Sequence, residues 1–128
     1  MSTPRQEDLT IITKAKDLVN ETMRRTACKF PKRVRFTLAN RMDELALQIL
    51  HDIIAANEIF PKTPEERDQR RRLQTEVLTS CKMLLTFMDI ALEQQLIDHN
   101  ACEYWAKKVL DVKNMAAAWR KKDADRFK

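Results

Sequence analysis

TPEERDQRRRLQTEVLTSCKMLLTFMDIALE, residues 63–93, is the stretch that decides the fold class. It opens with Thr63 in cap position, Pro64 at the first helical position and Glu66 three residues after the cap. In such a capping box the cap and Glu side chains satisfy each other's free backbone N–H groups. Beyond it, Val77, Cys81, Leu84, Met88 and Ala91 recur at helical spacing, with Leu78, Leu85 and Leu92 along one flank. The pattern predicts one long helix over 64–95. Its most apolar part, MLLTFMDIAL, is interrupted by Asp89, and no run approaches the ~18 apolar residues that span a bilayer.

The same signals recur outward from this helix. Thr3-Pro4-Arg5-Gln6 repeats the Thr-Pro-x-Gln/Glu start, and Asp98 can cap another helix. Leu9, Ile12, Leu18, Val19, Met23 and Thr26 lie at helical spacing, as do Leu38, Met42, Leu45, Ile49 and Ile53, flanked by Leu47, Leu50 and Ile54. A further series runs Ala101, Trp105, Val109 (or Lys108), Val112, Ala116 and Trp119. Four helices are predicted near 4–27, 32–57, 64–95 and 98–121, and no segment alternates long enough to be a strand. The 128 residues contain no glycine, which argues against tight hairpins and removes every Gly-rich phosphate loop.

Short connections make consecutive helices antiparallel neighbours, so the expected fold is an all-α, up-down-up-down four-helix bundle. It occupies 1–122 as a single domain, with 123–128 (DADRFK) as a frayed or disordered tail. Helices two and three carry apolar residues on more than one side, so part of that surface can face another subunit. A wide core with some exposed Leu is the alternative. Phe-Pro-Lys occurs twice, at 30–32 and 60–62. Each reads as a helix-to-helix turn, Pro stopping one helix and Phe tucking against the bundle end. A helix over 32–57 is roughly 37 Å long, which puts the two turns at opposite ends.

Charge is distributed unevenly. The net charge is +5, which points to an anionic partner. From Thr22 to Met42 there are seven cations and no anion: Arg24, Arg25, Lys29, Lys32, Arg33, Arg35 and Arg41. Arg outnumbers Lys, and its planar fork matches phosphate and carboxylate oxygens two at a time. A second group, Arg67, Arg70, Arg71 and Arg72, opposes the dipole at the start of its helix, offset by Glu65, Glu66 and Asp68. Arg120, Lys121 and Lys122 close the last helix at the same end. Rings do not interleave with the cations: only Phe30, in its turn, and Phe36 lie in the first cluster. The pattern predicts RNA or DNA binding mostly through the backbone. A basic surface that docks an acidic protein, or a solvated face paired from other helices, is the competing reading.

No catalytic chemistry is legible. Neither His51 nor His99 has the Glu-x-x-His spacing of di-iron bundles. His99, Cys102 and Cys28 could approach one another as three zinc ligands, but no fourth ligand is evident, and buried Cys in a helical core is the simpler account. The expectation is a non-enzyme with no cofactor, no metal and no small-molecule substrate. Three cysteines without a CxxC pair, and an N-terminus without an apolar signal segment, fit a cytoplasmic protein outside membranes.

The stretch KFPKRVRFTL, preceded by a long helix and followed by LALQILHDIIAAN, resembles bacterial four-helix-bundle proteins typified by the accessory variability determinant of diversity-generating retroelements. The late MAAAWRKK resembles the Trp that closes the last helix in that branch. A sister branch, encoded in intervening sequences of large-subunit rRNA genes, typically ends its second helix with an Asn-x-x-Glu-Gly-like stretch. Here IIAANEIFPK has no Gly, which favours the retroelement branch. The resemblance covers essentially the whole chain. It implies a non-enzymatic, basic, barrel-like homopentamer in a bacterial or phage-infected cell. Such a protein binds a reverse transcriptase and nucleic acid in support of mutagenic cDNA synthesis and homing. By position the resemblance assigns Lys32 and Arg35 to the basic surface. Their neighbours Arg24, Arg25, Lys29 and Arg33, and the group Arg67, Arg70, Arg71 and Arg72, are candidate partner-binding residues on charge alone.

Overall fold

The computed structural model describes residues 6–127, with the side chains from residue 10 onward apart from that of Lys29. The Thr3-Pro4 start signal therefore lies outside the described residues. Four long helices account for nearly all of the rest: α1 (Gln6–Lys29), α2 (Asn40–Glu58), α3 (Pro64–Glu93) and α4 (His99–Arg126), with no strand among the described residues.

α2, α3 and α4 contribute buried stripes at the predicted spacing, whereas the α1 stripe runs through Ile11, Ala15 and Leu18 and leaves Met23 47% exposed. Ala15 and Leu18 of α1, Met42, Ala46, Ile49 and Ile53 of α2, Val77, Cys81 and Leu84 of α3, and Trp105, Val109 and Val112 of α4 form one continuous core. α1 packs on α2 and α4, and α3 packs on the same two helices. The arrangement is compatible with a helical bundle. Two contacts fix which ends meet. Trp105, near the start of α4, donates its indole N–H to Thr22 Oγ1 near the end of α1 at 2.9 Å. Arg70, near the start of α3, grips Asp123 near the end of α4.

The caps explain the helix limits. Thr63 and Glu66 form the capping box, with N–H to oxygen distances of 3.0 and 3.2 Å. Asp98 accepts the Ala101 N–H at 2.8 Å. α3 ends in a Schellman turn: the Gln95 N–H bonds Leu92 O and the Leu96 N–H bonds Ala91 O. Gln95 takes the left-handed position, φ 59°, that glycine usually fills. A glycine-free chain carries some strain there.

Two expectations need correcting. The second helix does not begin at 32. Pro31 leads into a 3-10 turn, Lys32–Val34, and a π turn, Arg35–Ala39, before α2 starts at Asn40. Nor does the fourth helix stop near 121, because α4 continues to Arg126. Asp123 is held there by Arg70 and by the Gln74 amide. The two Phe-Pro-Lys turns also diverge. Phe30 is partly buried, its ring edge-on to Trp105 with centroids 6.3 Å apart, whereas Phe60 is exposed with the Lys62 ammonium over it.

Candidate nucleic-acid interface

The cations predicted to bind partners fall into two kinds once their neighbours are known. Arg24 and Arg25 are internally paired. Both reach Glu21, which is 1% exposed, at 2.5 and 2.7 Å. The carboxylate that compensates them lies just before the anion-free window, on the same face of α1 at i−3 and i−4. Arg25 also lies over the Tyr104 ring, as does Lys108. Burial and a cation–π contact make Arg25 part of the α1–α4 seam, whereas the Arg24 side chain stays 65% exposed and keeps donors facing water.

The second group divides in the same way. Arg70 forms a two-pronged bond with Asp123, 2.6 and 3.1 Å, donates to Ile59 O at 3.0 Å and stacks over Trp119. Its donors are committed to joining the α2–α3 connection to α4. Arg67 donates to Pro61 O and Lys62 O and so closes the same connection. Arg120, a third cation at this end, donates to Thr75 Oγ1. Arg71 and Arg72 remain exposed on the outer side of α3.

The junction between α1 and α2 is different. Lys32, Arg33, Arg35 and Arg41 are all exposed, and none has an ion-pair partner among the described residues. Lys29 ends α1 beside them, its side chain outside the described set. Local structure causes the exposure. Pro31 has no N–H to donate and the 3-10 turn is pinned by Val34 N–H to Pro31 O. Leu38 and Ala39 are buried and anchor the π turn to the core. The intervening side chains are left in solvent, with Phe36 among them at 79% exposure. Four unpaired cations on consecutive turns form a surface that can hold a row of phosphate or carboxylate oxygens.

Beneath the junction, the Thr26 hydroxyl donates to Asp43 Oδ1 at 2.7 Å and ties α1 to the first turn of α2. Burial pushes the Asp43 carboxyl above its ordinary value; the Thr26 hydrogen bond lowers it and the neighbouring Glu44 raises it. Asp43 is thus turned to Thr26 rather than to the exposed cations.

The sulfur and imidazole groups do not assemble. Among the described residues no three of His, Cys, Asp or Glu come close enough to hold a metal ion. Cys81 is fully buried and burial drives its thiol up to about 12, so it is inert. Cys102 is buried and raised for the same reason, with the Asp89 charge adding to it, while Cys28 is exposed. No described helix is long and apolar enough to cross a membrane.

Sequence reasoning missed Glu21 and Asp123. Glu21 sits among polar residues (NETMRR) with nothing to mark its burial. The signal for Asp123 was Trp119 one turn earlier, since an apolar face still present at 119 implies that the helix continues. No known family model matches the chain, and no curated protein matches it either.

Proposed function

We propose that this protein is a non-enzymatic nucleic-acid-binding bundle whose principal contact surface is the junction of Lys32, Arg33, Arg35 and Arg41. The observation that carries the reading is that these four exposed side chains have no ion-pair partner among the described residues, whereas Arg24, Arg25 and Arg70 are paired with Glu21 and Asp123. Held on short turns anchored by Leu38 and Ala39, they can meet phosphates without first breaking an internal salt bridge. Arg24, Arg71 and Arg72 extend the surface. Arg25, Arg67 and Arg70 drop out as contact residues on this reading and serve the fold.

The resemblance to accessory variability determinants completes the proposal. In it the helices run alternately up and down, the chains assemble as a barrel-like homopentamer, and the partner is a reverse transcriptase engaged in mutagenic cDNA synthesis. Met23, Leu47 and Ile54, each more than two-fifths exposed, support self-association, since α1 and α2 meet along one seam. The alternative is an adaptor that docks an acidic protein through the same cations.

The test is fluorescence anisotropy of labelled RNA and DNA at low salt with a Lys32→Ala/Arg33→Ala/Arg35→Ala variant. The reading expects at least tenfold weaker binding with the helical signal intact. Arg67→Ala is expected to lower stability more than affinity. Unchanged affinity in the triple variant contradicts the proposal. No nucleic-acid binding by the parent protein, together with capture of an acidic partner, favours the adaptor.

A further inference from the structure

Phe36 differs from the protein's other exposed rings. Tyr104 lies beneath Arg25 and Lys108, and Phe60 beneath Lys62. The partly buried rings are otherwise engaged: Phe30 lies edge-on to Trp105, Trp119 under Arg70 and Phe127 beneath Arg126, while Phe87 packs against the core. Phe36 is 79% exposed and has neither a cation nor a ring against it among the described residues. It sits inside the π turn between partly buried Val34 and buried Leu38, both packed against the core. The ring is therefore held on a fixed backbone rather than carried by a loose loop. π turns inserted in helices are frequent at functional sites.

We infer that Phe36 is a stacking platform for an unpaired base, which makes the basic junction a single-strand site rather than a general polyanion surface. The chemistry is complementary on both counts. The cations Lys32, Arg33 and Arg35 precede the ring in the chain and supply phosphate contacts, while the free π face accepts any base without reading its edge. In duplex DNA the bases are already stacked, so the ring gains nothing there and only the cations contribute. The other apolar residues of the junction, Val34, Leu38 and Ala39, are turned to the core. A single ring gives little apolar area for inserting into a lipid surface, which favours a base as its occupant. The sequence shows two aromatic residues in the cluster, Phe30 and Phe36, and no repeating series; the exposure of Phe36 is what assigns it a role.

The inference rests on the nucleic-acid reading above, and the experiment separates the two. Full-length protein, Phe36→Ala and Phe36→Trp are titrated at low salt against a labelled oligo-dT single strand and against a duplex of equal length. Phe36→Ala is expected to weaken single-strand binding about tenfold, the middle of the range for removal of one stacked base, and to change duplex binding less than twofold. Phe36→Trp is expected to restore single-strand affinity, with its indole fluorescence quenched on binding. Because the ring is exposed, neither substitution should alter the circular dichroism. Equal losses on strand and duplex, or no loss on either, overturn the inference and leave the nucleic-acid reading standing. Failure of the parent protein to bind either probe overturns both. A Phe36→Ala effect confined to phosphatidylserine vesicles, or to the mass measured by light scattering, also overturns it and assigns the ring to a membrane or to a second copy of the chain.

Discussion

Removing the Asp123 carboxylate should cost the protein a large part of its stability, although Asp123 lies five residues before the last residue of the sequence. In Asp123→Ala three donated hydrogen bonds vanish together: two from Arg70, at 2.6 and 3.1 Å, and one from the Gln74 amide at 2.7 Å. Arg70 is 11% exposed and Gln74 is fully buried. Breaking a fully buried ion pair by removing one partner costs about 3–5 kcal/mol. The pair lies at the end of the helices and is slightly open to water, so the lower part of that range applies. Gln74 adds to it, because its Oε1 already lacks a protein partner and its N–H would then lose its own, at about 1–3 kcal/mol for a buried group. Arg70 keeps Ile59 O and the Trp119 ring, which limits the loss. A net cost of about 3 kcal/mol follows. With an unfolding entropy of about 2.1 cal/mol/K per residue, that lowers the melting temperature by about 10 °C. Urea unfolding followed by circular dichroism, at matched m-values, measures it. A cycle with Arg70→Ala should show a double variant less destabilised than the sum of the singles. A loss below about 1 kcal/mol, or full additivity, would refute the view that these groups seal the start of α3 to α4.

Further expectations follow from single contacts. Thr22→Val leaves the buried Trp105 indole N–H without an acceptor and should cost about 1–3 kcal/mol in the same assay. Gln95→Gly relieves the left-handed residue of the Schellman turn and should stabilise by roughly 1 kcal/mol; a neutral or negative change would contradict it. A thiol reagent should titrate one cysteine per native chain, Cys28, and all three after denaturation. Asp43, whose folded-state value is raised, holds its proton more tightly folded than unfolded. Its contribution is therefore most favourable below the unfolded value and is lost as pH rises through the folded one. Asp43→Asn should flatten that fall in a pH series of melting temperatures, while its amide oxygen still accepts from Thr26.

What was legible in the sequence was whatever repeats or caps. The capping box at Thr63, the Asp98 cap and the stripes of α2, α3 and α4 depend on residues close in the chain, so their spacing was enough. Glu21 and Asp123 depend on packing between elements: Glu21 is covered where α1 meets α4, and Asp123 is met by residues of α3. Nothing local marks the burial of Glu21, and Trp119 marks only that the helix continues to Asp123, not what Asp123 meets. The π turn was hidden for another reason, since RVRFTLA contains no Gly or Pro to mark a break and its Leu38 fits an ordinary helical stripe. Phe36 was the visible trace, an apolar residue out of phase with that stripe. Among the basic residues, composition located the charge but could not separate Arg70, which is consumed internally, from Arg35, which has no ion-pair partner among the described residues. That division needs the acidic partners, and they lie elsewhere in the chain.

The central claim is that the exposed junction cations bind nucleic-acid phosphates, and the salt dependence of affinity tests it most directly. Four to six phosphate contacts predict that log K falls against log salt with a slope of about −3 to −5. Between 50 and 200 mM salt that is a weakening of about 60- to 1,000-fold. In the Lys32→Ala/Arg33→Ala/Arg35→Ala variant the slope should become shallower by about 2 to 3. A flat salt dependence in the parent protein, or a slope that the triple substitution leaves unchanged, would contradict the account.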